Sequence, residues 1–297
     1  MTAAVIHTVG VVGVGQMGAG IAQIAAAAGF DVVARDVSQG ALDRARTNVE
    51  KSLARFMEKG TIAAAARNEA LARLRFTLEL ADVAQCDLVI EAIVEDLEAK
   101  STLWRVLDAE SPERTIFASN TSSLSITGMA AATGRPDRFV GLHFFNPVPL
   151  MGLVEVIRGV RTSDATFETA LAFSRALGKE TVAARDTAGF VVNRLLVPYL
   201  LDAVRAVEQG AAGIADIDAA MRLGCGHPMG PLALLDFIGL DTALSIGEIL
   251  HHEYREPRMA PPPLLRRMVA AGLLGKKSGR GFYDWSANPP APADLGL

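Results

Sequence analysis

The tightest constraint on this chain is a glycine-rich turn set between two apolar runs. Residues 8–14 are short, β-branched and end in glycine, which predicts a buried strand. Residues 17–28 form an Ala-rich run stopped by Gly29, which predicts a helix. Between them Gly13, Gly15 and Gly18 stand in GVGQMG. Gly13 permits a tight turn and Gly15 lets backbone approach a pyrophosphate. Gly18 lets the helix pack closely on the strand, with its first N–H groups facing the phosphates. Glycine turns are common, so the spacing alone is weak. Here a second strand, 31–35, is closed by Asp36, where a carboxylate would bond ribose hydroxyls. Together these features predict a dinucleotide site made by Gly13, Gly15, Gln16, Met17, Gly18 and Asp36. Asp36 favours NAD because it would repel a 2′-phosphate. Arg35 beside it keeps NADP open, although a solvated strand end is the plainer reading of that residue.

The rest of the chain continues the alternation. Ser38 is placed to cap a helix to about Lys59, with Leu42, Ala45, Val49, Leu53 and Phe56 at helical spacing, and 61–74 reads as further helix. Strands are predicted at 87–92, 115–119, 139–144, 153–157 and 180–184. Helices are predicted at 97–109 and, capped by Asp164, to about 177. After Arg185 the strand-like runs stop. Helical patterns cover 188–209 (kinked at Pro198), 214–223, 231–250 and 262–273, and the Pro-rich tail from 288 reads as frayed. The expected fold class is therefore α/β: a Rossmann-type doubly wound, mostly parallel sheet followed by an all-α C-terminal domain. The expected domains are 1–185 and 186–297, with Asp186-Thr187 as boundary and cap. A length of 297 residues suits two domains.

Composition excludes several classes. A net charge of −4 argues against a nucleic-acid binder, which needs a basic field. Two cysteines, Cys86 and Cys225, rule out a disulfide framework and a Cys-rich zinc site, so no metal is expected and a reducing compartment fits. The uncharged stretch Val5 to Phe30 holds six glycines and many alanines. It lacks a basic start and a cleavage site, and reads as strand plus helix rather than membrane span or signal peptide. A cytoplasmic protein without membrane partners is expected.

Two further features could carry chemistry. His143 ends one predicted strand and Glu155 lies in the next. Oxidising an alcohol needs a base for the hydroxyl proton. A neutral imidazole serves, with a carboxylate on its other nitrogen to set the tautomer. A structural histidine is an equally fair reading of the spacing alone. The hydroxyl-rich SNTSS, 119–123, follows another strand, where ligands bind in doubly wound sheets. One of its serines is also expected to cap a helix.

The stretches GVGQMGAGIAQ (13–23), DLVIEAIVED (87–96), ASNTSSLSIT (118–127), GLHFFNPVP (141–149), LVEVI (153–157), TAGFVVNRLL (187–196), HPMGPLALLDFIGLD (227–241) and KKSGRGFYDW (276–285) together resemble the L-3-hydroxyacyl-CoA dehydrogenase family, and span nearly the whole chain. The resemblance implies interconversion of (S)-3-hydroxyacyl-CoA and 3-oxoacyl-CoA. His143 matches the family's catalytic base and Glu155 its partner. Ser122 matches the serine that bonds the substrate oxygen, and Asn193 the asparagine that holds substrate and polarises that oxygen. Glu95, Lys100 and Asn120 match positions around the nicotinamide ribose. Asn193 opens the second domain, so a substrate site between domains is expected. Arg44, Lys51, Arg55 and Lys59 form one stripe on the long helix, which alone reads as a solvated face. The resemblance gives Lys51, Arg55 and Lys59 to coenzyme A. Two departures stand out: Arg55 where relatives often carry Lys, and Gly152 where many have Lys. The leucines Leu195, Leu196, Leu200 and Leu201 exceed one narrow stripe, and the resemblance implies a homodimer through the second domain. Rival readings are a sugar-acid dehydrogenase acting on gulonate-like 3-hydroxy acids, and a non-catalytic nucleotide-binding protein.

Overall fold

A computed structural model describes residues 4–296. The chain divides into two compact units, the first ending at Phe190 and the second beginning at Val191.

The first unit runs β1 (Thr8–Val12), α1 (Gln16–Ala27), β2 (Asp31–Arg35), α2 (Gln39–Glu58), α3 (Ala64–Ala72), β3 (Leu74–Thr77), α4 (Leu80–Ala84), β4 (Leu88–Glu91), α5 (Leu97–Glu110), β5 (Ile116–Ser119), α6 (Ile126–Ala130), β6 (Phe139–Phe144), β7 (Leu153–Arg158), α7 (Asp164–Ala176) and β8 (Glu180–Arg185). The sheet order is β3-β2-β1-β4-β5-β6-β7-β8. Every neighbouring pair is parallel except β6 and β7, which run antiparallel. The chain winds outward from β1 in one direction and from β4 in the other. The turn after β1 therefore opens at the switch point, where carboxyl strand ends leave a crevice.

The continuous apolar strands reflect burial on both faces. Leu88 and Ile90 of β4, with Ile116 and Ala118 of β5, face the core packed by α1, α2 and α7. Val89 and Phe117, between them, face the core packed by α4, α5 and α6. On that second face Trp104 lies 5.0 Å from Phe117 and 4.9 Å from Phe139, ring centre to ring centre. Burying each such ring contributes roughly 1.5–3 kcal/mol.

Several local expectations are corrected. Residues 61–74 are not one helix. Gly60, at φ 71°, ends α2, and the chain then makes α3 and the half-buried edge strand β3. Residues 80–84 add the short α4, whose five residues are too few to show a periodicity. Ser38 stands at the N-cap of α2 but makes no side-chain cap bond. Ser163, not Asp164, caps α7 by accepting from the Thr166 N–H.

The second unit holds α8 (Val192–Glu208), α9 (Ile214–Cys225), α10 (Pro231–Ile238), α11 (Leu240–Tyr254) and α12 (Pro263–Ala270). Pro198 lies inside α8 without ending it. The run 231–250 is two helices because Gly239 breaks it at φ 98°. Two buried carboxylates tie the irregular C-terminal stretch down. Asp218 accepts from the N–H groups of Leu232 and Ala233 and from the Tyr283 hydroxyl. Asp236 accepts from the N–H groups of Phe282 and Tyr283 and the Trp285 indole. The tail is not frayed at Ala291-Pro292, which pairs with Tyr283-Asp284; Ala293 N–H then bonds the Phe282 carbonyl. No helix among the described residues is long and apolar enough to cross a membrane.

Candidate active site

The glycine turn has the shape its spacing requires. A Cβ at Gly18 would overlap the Gly13 carbonyl, and one at Gly13 would lie 2.7 Å from the Ala92 carbonyl oxygen. Gly15 has nothing within 4 Å of where a Cβ would sit, so its backbone is open to approach. Asp36 closes the turn from the end of β2: its Oδ2 accepts from the Val14 N–H at 3.0 Å and its Oδ1 from the Val37 N–H at 2.8 Å. A dinucleotide fits this cradle. Arg35 donates through Nε to the Leu78 carbonyl, which ties it to the loop beyond β3. A groove of about 530 Å³ starts here and is lined by Gly15, Gln16, Asp36, Arg44 and the 146–149 loop.

The antiparallel step of the sheet sets His143 directly opposite Glu155 in register. Both point the same way, because paired residues on adjacent strands share a face. The imidazole Nδ1 lies 2.7 Å from Glu155 Oε2, and both side chains are buried. Phe145 and Phe190 flank the ring at 4.5 and 5.7 Å between centroids. Phe190 takes a positive φ of 47°, rare for a side chain of its size.

The SNTSS turn is held by two carboxylates, Glu95 and Glu91, of which sequence reasoning left only Glu91 without a role. Glu91, wholly buried at the end of β4, accepts from Ser119 Oγ at 2.6 Å, Ile93 N–H at 2.7 Å and Lys100 Nζ at 2.5 Å. Lys100, at 1 % exposure, also reaches Glu95 at 3.3 Å and the Ile93 carbonyl at 3.4 Å. Its three donors are thus directed at protein groups. Glu95 in turn accepts on one oxygen from Thr121 Oγ1, the Ser122 N–H and Ser123 Oγ. Asn120 Oδ1 accepts from the Phe144 N–H at 2.9 Å, tying this turn to the strand of His143.

None of the serines of 119–123 caps a helix. Thr121 Oγ1 folds the turn by accepting from the N–H groups of Ser123 and Leu124, and Ser125 caps α6. Asp186, expected to cap the following helix, instead accepts from Ser125 Oγ and the N–H groups of Ile126 and Thr127. A single carboxylate far along the chain carries no sequence signal for that contact, and Glu91 hides inside an apolar strand.

Arg44, Lys51, Arg55 and Lys59 are exposed, and none forms an ion pair among the described residues. Lys51, Arg55 and Lys59 line a second groove of about 450 Å³ with Phe56 and Leu150. It shares Asn48, Ser52, Pro147 and Pro149 with the first, so the two are continuous. Gly152 is exposed with open space around it. Asn193 stands on the first turn of α8 in the helical unit. No group of three or more metal-ligating side chains occurs among the described residues.

Residues 8–187 match the 3-hydroxyacyl-CoA dehydrogenase NAD binding domain, and residues 189–285 match the C-terminal domain of the same family. The chain belongs to the 3-hydroxyacyl-CoA dehydrogenase family. It is accordingly an NAD-dependent oxidoreductase acting on 3-hydroxyacyl-CoA. The 3-hydroxybutyryl-CoA dehydrogenase of Bradyrhizobium diazoefficiens is 50% identical over 290 residues, covering 98% of this chain and 99% of the relative. The human mitochondrial hydroxyacyl-coenzyme A dehydrogenase is 48% identical over 288 residues, covering 95% and 92%. The crystal structure of the (S)-3-hydroxybutyryl-CoA dehydrogenase of Ralstonia eutropha superposes with a TM-score of 0.92 at 47% identity, covering 95% of this dehydrogenase and 100% of that chain.

Proposed function

We propose that His143 is the general base and acid of this dehydrogenase, with Glu155 as its partner, and that 3-hydroxybutyryl-CoA is the substrate. The observation that carries this reading is the buried 2.7 Å contact between His143 Nδ1 and Glu155. A carboxylate only accepts, so Nδ1 carries the proton and Nε2 is left as the acceptor for the substrate hydroxyl proton. When bound, NAD accepts the hydride leaving C3. As the proton arrives, Glu155 offsets the positive charge on the imidazole; in the reverse direction the same proton returns to oxygen. Ser122, on the turn that Glu95 and Asn120 hold, aligns the substrate oxygen. Asn193 is assigned to holding substrate and polarising the same oxygen, as the resemblance implies.

For the cofactor, the turn from Gly13 to Gly18, including Gln16 and Met17, takes the pyrophosphate, and Asp36 takes the adenosine ribose. Glu95 contacts the nicotinamide side. Lys100 serves that side by holding Glu91 and Glu95, since its ammonium already engages protein groups, and Asn120 by tying the SNTSS turn to Phe144 through its Oδ1. Lys51, Arg55 and Lys59 take the phosphates of coenzyme A, because unpaired cations along a groove suit a polyanion. The first domain, 1–185, is the NAD-binding one, and 186–297 binds substrate and makes a homodimer. Leu200 and Leu201 are absorbed by the unit's own core, whereas Leu195 is 69 % and Leu223 83 % exposed, leaving apolar surface for a second copy. A cytoplasmic location goes with this reading, checked by fractionation, and light scattering checks the dimer.

The test is oxidation of NADH, and separately NADPH, with acetoacetyl-CoA, using free acetoacetate as control. Turnover with the thioester and not the free acid supports the reading. Turnover with gulonate-type acids instead would replace it.

A further inference from the structure

The His143–Glu155 pair sits on a hairpin whose connection, residues 145–152, forms a wall of both grooves through Pro147 and Pro149. This connection carries no regular element of its own beyond a turn closed by the Leu150 and Met151 N–H groups on the Pro147 carbonyl. Something outside must fix it. On one side α1 does so at Gly20, where a Cβ would come within 2.8 Å of Val148 Cβ.

On the other side stands Lys179, at the turn between α7 and β8. It is 9 % exposed. Its Nζ donates to the Val148 carbonyl at 2.8 Å and the Met151 carbonyl at 2.7 Å. No carboxylate lies within ion-pair distance of it among the described residues. The next residue continues the clamp, because the Glu180 N–H bonds the Gly152 carbonyl at 2.8 Å. A buried cation without a counter-ion is costly, and burial holds this ammonium below the usual lysine range. A merely structural site could use an uncharged donor. A cation gains from converging on two carbonyl dipoles, and it shapes the backbone that bears them.

The two carbonyls bracket Pro149 and Leu150, which line the cation-lined groove together with Pro147. We propose that Lys179 is a positioning residue for coenzyme A: by pinning the Val148 and Met151 carbonyls it holds Pro149 and Leu150 as the groove wall opposite Lys51, Arg55 and Lys59. This rests on the assignment of that groove to coenzyme A. It places Lys179 in binding rather than in proton transfer.

The test is the Lys179→Met variant, which keeps the stem and removes the donors, beside Lys179→Arg, which keeps them. Coenzyme A itself is titrated by calorimetry, NADH by fluorescence, and turnover is measured at saturating acetoacetyl-CoA. The expected result is a Kd for coenzyme A raised about fivefold or more in Lys179→Met, with kcat within about twofold and the loss smaller in Lys179→Arg. NADH affinity should fall less than coenzyme A affinity. A lower melting temperature with coenzyme A affinity unchanged would reduce Lys179 to a structural role and overturn the proposal. Equal loss of both ligands would mean a disrupted sheet and would overturn it too. If Lys179→Met does not fold, Lys179→Gln, which keeps one donor, is read by the same criteria. If the wild-type protein binds NADH but not coenzyme A, it is the assignment of the groove that fails.

Discussion

Replacing Glu155 by Gln probes the reaction at its most defined contact. The substitution preserves shape and hydrogen-bonding capacity and removes one negative charge. In the wild-type protein that charge lies 2.7 Å from Nδ1, atom to atom, with Glu155 wholly buried. Taking the charge centres at about 4 Å and an effective dielectric of about 20, the attraction to a positively charged imidazole is about 4 kcal/mol. In the proposed mechanism the imidazole starts oxidation neutral and gains its proton along the reaction. The attraction is therefore a transition-state effect more than a binding effect. At about 1.4 kcal/mol per decade, its loss corresponds to roughly a thousandfold in kcat, and competition from other polar groups could reduce that to about a hundredfold. The assay is steady-state oxidation of 3-hydroxybutyryl-CoA, with NADH binding measured separately by fluorescence. The expected result is kcat lowered by two to three decades, about the range above, with NADH affinity unchanged. A kcat within about tenfold of wild type would refute the claim that charge on Glu155 serves the proton transfer.

Four other outcomes follow from burial and close packing. Lys100→Met leaves the Glu91 carboxylate buried without its cation and should destabilise the first unit by about 3–5 kcal/mol; the double variant with Glu91→Gln should recover part of it, measured by denaturant titration. Burial pushes the Cys86 thiol from 9.0 up to about 11, so the native state keeps a proton that the unfolded chain loses in that window. Stability from this group is full below pH 9 and lost as pH rises towards 11, by up to about 3 kcal/mol; thermal melts of Cys86→Ala should show a shallower alkaline decline. In native protein a thiol reagent should modify exposed Cys225 and leave buried Cys86, as peptide mapping would show. Gly18→Ala should weaken NADH binding by about tenfold or more, read by fluorescence titration, because the added methyl meets the Gly13 carbonyl and forces the turn open.

Local chemistry made much of this protein legible from its sequence. The strand-turn-helix with Asp36 needs only three glycines and one acid at set distances, and the structure builds it that way. Buried parallel strands announce themselves as unbroken apolar runs, because both faces are covered. His143 and Glu155 were legible as candidates, since a hairpin-like step brings residues twelve apart into register. Short or half-buried elements left too little pattern: β3 exposes part of its surface, α4 is under two turns, and Gly60 and Gly239 break runs whose apolar spacing continues past them.

What only the tertiary structure decided is which polar groups hold the site in place. Glu91, Asp186 and Lys179 each act on segments distant in sequence: Glu91 on Ser119, Asp186 on the start of α6, Lys179 on the 148–151 turn. In sequence they are one acid in an apolar strand, one acid after a strand, and one lysine after a glycine. The roles of Glu91 and Lys179 come from desolvation, and that of half-buried Asp186 from its reach to the first N–H groups of α6. Once buried, a carboxylate or ammonium must find donors or acceptors, and only the packed fold determines which backbone groups are within reach.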